Sequence, residues 1–211
     1  VPTVNGGNYM ELTNSQYLTP HKVIASLSYR IPYAKNFATS VSLFYSGYNA
    51  GNFSYMYDGD MNQDGINNDL IYIPKSKDEL TFVDKNGFTA EQQAEAFWNY
   101  VNQDSYLKNH KGEYAKAYSA RYPWVNQIDL KVVQDFIVKA GKTTNTLQVS
   151  LDIFNLGNLL KDTWGVTKVP VNSGRILKYE GVTADNVPTF SMYQSENKLP
   201  TETFSYLKNS S

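Results

Sequence analysis

Thr146-Leu-Gln-Val-Ser-Leu-Asp-Ile-Phe-Asn-Leu156 alternates apolar and polar residues for most of its length. Leu147, Val149, Leu151 and Ile153 share one phase; Gln148, Ser150 and Asp152 share the other. Successive side chains of a strand point to opposite faces. An extended chain here is therefore greasy on one side and carries a carboxylate on the other. Gln127–Val138 repeats the pattern. A half-buried strand of a soluble protein usually runs about five or six residues. The alternation here is nearer the roughly 9–11 residues with which a tilted strand crosses hydrocarbon. That repeated length points to a membrane barrel, with a soluble antiparallel sandwich, wet on one face, as the competing expectation.

Working outward, His21–Ile31 places Val23, Ala25, Leu27, Tyr29 and Ile31 on one face and Lys22, Ser26, Ser28 and Arg30 on the other, with Ile24 out of phase. Pro32–Asn36 reads as a short turn. A second strand starts at Phe37, with Thr39, Val41, Leu43 and Tyr45 opposite Ser40, Ser42 and Ser46; Phe44 breaks the polar face. It is expected to kink at Gly47 and Gly51 and continue toward Tyr57. A third strand, Trp124–Val138, is less clean, because Gln134 falls on the apolar face and Val133 and Ile137 on the polar one. Ala140–Asn145 is the next turn. Arg175–Val182 and Pro188–Tyr193 read as a weaker hairpin, which brings the expectation to about six strands. No domain boundary is expected.

The insert from about Asn52 to Tyr122 holds one helix. It starts near Thr89, with Gln92 as capping-box partner, and runs toward Tyr106. Ala94, Phe97, Trp98 and Val101 give it one apolar side. Connections alternate short and long, as in outer-membrane barrels with short periplasmic turns and long external loops. The insert and Asn155–Gly174 are then external. Lys or Arg on the lipid face near the midplane costs roughly 2–4 kcal/mol; Asp129, Lys131, Asp135 and Asp152 all fall on the opposite phase.

Composition narrows the classes. A net charge of -1 gives no basic surface for nucleic acid. The absence of cysteine excludes a disulfide scaffold and a thiolate metal site. No run of 18 apolar residues exists, and mean hydropathy is -0.47, so a transmembrane helix is excluded while a barrel, with only alternate residues facing lipid, is not. Tyrosine, at 17 residues, is in excess; its ring suits a boundary between hydrocarbon and water. Opening on Val1 without a leader, the chain reads as a mature protein or a piece of a longer one.

Tyr55-Met-Tyr-Asp-Gly-Asp-Met-Asn-Gln-Asp-Gly-Ile-Asn-Asn-Asp-Leu-Ile-Tyr-Ile-Pro74 resembles the external-loop signature of Oar-like TonB-dependent outer-membrane receptors. So do Tyr122-Pro-Trp124 followed by Asp129-Leu-Lys131 and Gln134-Asp-Phe136, and Leu147 to Leu160 followed by Trp164-Gly165. These motifs cover about a quarter of the chain, in the family's order. The resemblance implies an all-β fold: an antiparallel transmembrane β-barrel segment, about six strands of a larger barrel of about 22, with a long external loop containing a short helix. It implies the Gram-negative outer membrane, uptake of an unidentified ligand, and lipid, the remaining barrel and the plug as partners. TonB would act through the plug, which is absent here. The family's closing strand ends on an aromatic residue, whereas this chain ends Leu207-Lys-Asn-Ser-Ser211; strands sixteen to twenty-one are the expected share.

Asp60-Met-Asn62-Gln-Asp64-Gly65-Ile66 places oxygen ligands at positions 1, 3 and 5 and glycine at 6, as a calcium loop requires. Ile66 can offer its carbonyl and Asn68 its amide. Ile71 stands where a bidentate Glu belongs, leaving Asp69 as the substitute. The alternative is an ion-free hairpin tip of Asx turns. No catalytic residue is assigned. His21 and His110 lie apart, no nucleophile motif occurs, and Asp129, Asp135 and Asp152 read as lumen-facing polar residues rather than an acid–base pair. Phe97, Trp98, Tyr100 and Tyr106 read as packing rather than as a stacking platform for a sugar or peptide. The rival functions are a soluble cell-surface binding or adhesin module with a structural calcium loop, and a carboxylate-dependent glycan hydrolase.

Overall fold

A computed structural model describes residues 1–9 and 11–206; the expected chain end at Leu207–Ser211 lies outside them. Strand accounts for 43% and helix for 14%, so the protein is mostly β. In chain order come β1 (Lys22–Tyr33), β2 (Phe37–Asn49), β3 (Asn52–Phe53), β4 (Met56–Tyr57), β5 (Thr81–Phe82), α1 (Ala90–Gln103) and β6 (Ala120–Arg121). Then follow β7 (Trp124–Ala140), β8 (Thr143–Ile153), α2 (Leu156–Leu160), β9 (Lys168–Pro170), β10 (Arg175–Val182), β11 (Pro188–Met192) and β12 (Phe204–Tyr206). Two compact units result. One is built from Thr19–Ala50 and Trp124–Thr167; the other from Val1–Leu18, Gly51–Pro123 and the chain from Lys168 onward.

The first unit is a four-stranded antiparallel sheet in the order β1-β2-β7-β8. Its register stacks like upon like. Leu27 faces Leu43, Leu43 faces Leu130, and Leu130 faces Ile153; one step along, Tyr29, Val41, Val132 and Leu151 form the next row. The intervening rows are polar, such as Ser28, Ser42, Lys131 and Asp152. The strands outrun the sequence expectation at the tight turns. Ala140 pairs with Thr143, so the turn is only Gly141–Lys142, with Gly141 at φ 63 where glycine carries no steric cost. Pro32 belongs to β1, opposite Ala38. β1 is an edge of this sheet, where proline's missing donor is tolerated.

Three expectations are corrected here. β2 does not kink on toward Tyr57; it stops at Asn49, and β3 and β4 pair with β6 and β10 in the other unit. The hairpin of β10 and β11 exists, but it is flanked by β4 and β5 rather than by the long strands, so among the described residues the long sheet has four strands and not six. The insert is also more than a loop. Its Tyr55, Ile71, Ile73, Phe97 and Leu107 are fully or almost fully buried in a core shared with Ile176 of β10.

That second unit is organised by α1. Thr89 caps it: its hydroxyl accepts from the Gln92 backbone N–H, while the Gln92 side chain accepts from the Thr89 N–H. Phe97 and Val101 face the core as their spacing predicts, and Gln93 joins them, fully buried. Gln93 is tolerated because it is saturated. Its Nε2 donates to the carbonyls of Val83 (2.7 Å) and Phe88 (3.3 Å), and its Oε1 accepts from the Met192 N–H at 2.9 Å. One side chain thus ties helix, preceding loop and β11 together.

Gln93→Ala leaves two carbonyls and one N–H without that partner, and a buried orphan costs about 1–3 kcal/mol. The variant is expected to lose about 2 kcal/mol or more in denaturant unfolding, against about 1 kcal/mol for Thr89→Ala.

Candidate functional site

Within the sheet unit the chemistry divides by face. On the polar face Asp135 is almost fully buried, and both its oxygens are used: Oδ2 accepts from Arg30 Nη2 at 2.7 Å and Oδ1 from Gln148 Nε2 at 2.8 Å. Lys131 and Asp152, direct cross-strand neighbours, form an ion pair at 3.0 Å. Asp129 accepts from the Asn155 N–H at 2.8 Å. Each carboxylate has its own partner. The Arg30 link was not read from the sequence; its signal was opposite charge on the polar phases of β1 and β7.

The apolar face is uncovered. Leu27 is 73% exposed, Leu147 66% and Leu151 59%, with Tyr29, Val23 and Val149 also open. Gln134, the polar interruption on this face, is absorbed locally: its Oε1 accepts from Tyr33 (2.8 Å) and Thr39 (2.7 Å), and its Nε2 donates to the Ala38 carbonyl. Near the tight turns Tyr33 stacks on Phe37, and Phe37 meets Phe136 edge-on. Toward the other strand ends, Tyr45 and Trp124 both donate to Asn126 Oδ1. Their rings lie over Gly47, where a Cβ would collide with both.

In the other unit the Asp60–Asp69 loop closes on itself. Asp60 accepts from the Asp64 N–H (3.1 Å) and the Gly65 N–H (2.7 Å), Asn62 accepts from Asp64, and Asp64 accepts from Ile66. Gly65 takes φ 88 to let the chain turn. Asp69 Oδ2 accepts from the Met61 (2.6 Å) and Asn62 (3.2 Å) N–H groups. Ile71 is buried in the core, its N–H bonded to the Tyr55 carbonyl, so it lies outside the loop's chemistry. Thr3, which the sequence did not single out, pairs with this segment: its N–H donates to the Asn68 carbonyl, and its own carbonyl accepts from Leu70. Burial, reinforced by the charges of Asp64 and Asp60, pushes the Asp69 carboxyl above the usual range against the two backbone donors that lower it. Among the described residues no three His, Asp or Glu side chains converge as a metal cluster.

Aromatic packing accounts for the helix-side rings. Phe97 and Tyr100 are buried, and Tyr106 stacks between Tyr55 and His110. Tyr55 donates to the buried Asp104, which also accepts from the Tyr106 and Leu107 N–H groups. A groove runs along α1, walled by Glu91, Glu95, Asn99, Gln103 and the Leu199–Thr201 stretch. Comparison with known protein families, with curated proteins and with solved structures finds no match for this chain.

Burial pushes the Tyr57 hydroxyl up to about 12 and moves those of Tyr55 and Tyr100 further in the same direction. A raised acid stabilises the fold fully below its unfolded value, about 10 for tyrosine, and that contribution is lost as pH rises through the folded value. The phenolate absorbance of these buried tyrosines and the circular dichroism are therefore expected to change together, in one cooperative step, between about pH 10 and about pH 12. Independent ionisation of all tyrosines near pH 10 with the fold intact would contradict this.

Proposed function

We propose that this chain is part of the wall of an outer-membrane β-barrel of the TonB-dependent receptor type, serving ligand uptake rather than catalysis. The observation that carries the reading is the uncovered apolar face of β1, β2, β7 and β8, whose opposite face collects every charge of Arg30, Lys131, Asp135 and Asp152. A contiguous apolar surface in the middle of a sheet marks an interaction site. Lipid is the partner that fits a single sheet with 11 to 17 residues per strand.

Aromatic placement supports the same partner. Trp124 and Phe136 bracket the apolar stretch of β7 and lie about 40 Å apart along the strand. At the tilt of barrel strands that becomes about 30 Å, the hydrocarbon thickness. Tyr33 lies level with Phe136 through Phe37, and Tyr45, opposite Ile128, shares Asn126 with Trp124 toward the other end, as in the aromatic girdles of such barrels. Connectivity agrees: the chain leaves the sheet only at the strand ends away from the two tight turns. β1 and β8 are both open edges among the described residues. In lipid such edges need further strands, so the reading requires the remaining barrel, with the plug as the link to TonB. The separately packed insert is then the external, ligand-facing part. The core it shares with β10 and β11 is the observation that favours the rival soluble surface module.

One pair of substitutions distinguishes them. Leu151→Arg, on the apolar row, is expected to cost about 2–4 kcal/mol of folding in lipid vesicles, while Ser150→Arg, one residue away on the other face, is expected to cost little. A chain that stays monodisperse in buffer without detergent, and folds equally with either arginine, would overturn the membrane reading.

A further inference from the structure

The seam between Thr3 and the Asp60–Asp69 loop contains an unsolved polar problem. Asp69 is only 2% exposed, and its Oδ1 has no hydrogen-bond partner, although its Oδ2 holds two N–H groups of the loop. The side-chain oxygens of Asn68, its chain neighbour, and of Thr3, its partner across the pairing, are buried without partners as well. Buried polar atoms are almost always satisfied, and an orphaned group requires an explanation such as an ion or a water. An unpartnered, buried carboxylate oxygen is the costliest of these orphans. The carboxylate is held against the loop that carries Asp60, Asn62 and Asp64, since its other oxygen accepts from the Met61 and Asn62 N–H groups.

We propose that this seam binds a calcium ion, with Asp69 Oδ1 and Asn68 Oδ1 as its buried donors and the Asp60-x-Asn62-x-Asp64 loop closing over it from the solvent side. The identity follows from the donor set. Every atom on offer is oxygen, and no cysteine or histidine lies in the segment, which disfavours zinc or copper. Asp, Asn and carbonyl oxygens make a mixed set, which a six- to eight-coordinate, geometrically tolerant ion accepts. Magnesium, which demands near-ideal octahedral geometry and keeps its waters, suits such a set poorly. The Ile66 carbonyl, already accepting from Asn68 at 3.0 Å, has a second lone pair free to join. Ile71, the defect in the linear motif, is bypassed because Asp69 supplies the carboxylate instead. Thr3 completes the polar lining from a segment distant in sequence.

The test is calorimetric titration of the chelator-stripped full chain with calcium chloride, in the medium that keeps it monodisperse. About one ion per chain is expected, together with a rise in Tm that chelator reverses. Asp69→Asn retains the acceptor for Met61 and Asn62 but removes the charge; it is expected to weaken binding at least tenfold, as is Asp64→Asn. Glu91→Gln, on α1, is expected to leave binding unchanged. No saturable heat and no shift in Tm with the unsubstituted chain, calcium binding undiminished in folded Asp69→Asn, or equal affinity for magnesium would each overturn the proposal. Because the measurement reads an ion and not insertion into lipid, its failure leaves the barrel reading intact, and the converse also holds.

Discussion

The register between β2 and β7 is the constraint on which the sheet unit depends. Leu43 faces Leu130 and Val41 faces Val132, and the outer strands extend the same rows to Leu27 and Leu151. Side chains alternate with a period of two, so a slip of one residue would turn every leucine to the polar face and every charge to the apolar one. The ion pairs reinforce the correct register. Lys131 meets Asp152 and Arg30 reaches Asp135 only with the strands in this alignment. Asp135, almost fully buried, tolerates its position because both oxygens are bonded.

The other unit obeys a different logic. Its strands have two to eight residues and cannot form a sheet face by alternation alone. A buried set of large side chains from distant segments holds it instead, including Tyr55, Ile71, Phe97 and Ile176. Within that core polar atoms are matched individually: Gln93 to three backbone groups, and Asp104 to Tyr55 and two N–H groups. Against that standard, Asn52 Oδ1 stands orphaned at β3, and three further orphaned oxygens, of Thr3, Asn68 and Asp69, fall on one paired segment.

The apolar sheet face and the aspartate loop therefore have different origins. The apolar sheet face follows from periodicity and consists of side chains without a protein neighbour. The aspartate loop follows from tertiary pairing, because Thr3 and Asp69 become neighbours only when the first residues lie alongside Asn68–Leu70. A solvent of hydrocarbon would satisfy the first and an oxygen-seeking cation the second.

The amino-acid order alone determined the long strands, which residues share a face, the helix with its Thr89 cap, and the aspartate motif, because each depends on neighbours within a few positions. It overextended β2 past Asn49, assigned β10 and β11 to the long sheet, and read a packed unit as a loop. Only the tertiary structure decided which short edges meet, since two-residue strands such as β3 and β5 carry no period to read. The same holds for Arg30 with Asp135, 105 positions apart in the chain, and for Thr3 beside Asp69. Such contacts depend on the assembled core bringing the groups together, and no local pattern encodes that meeting.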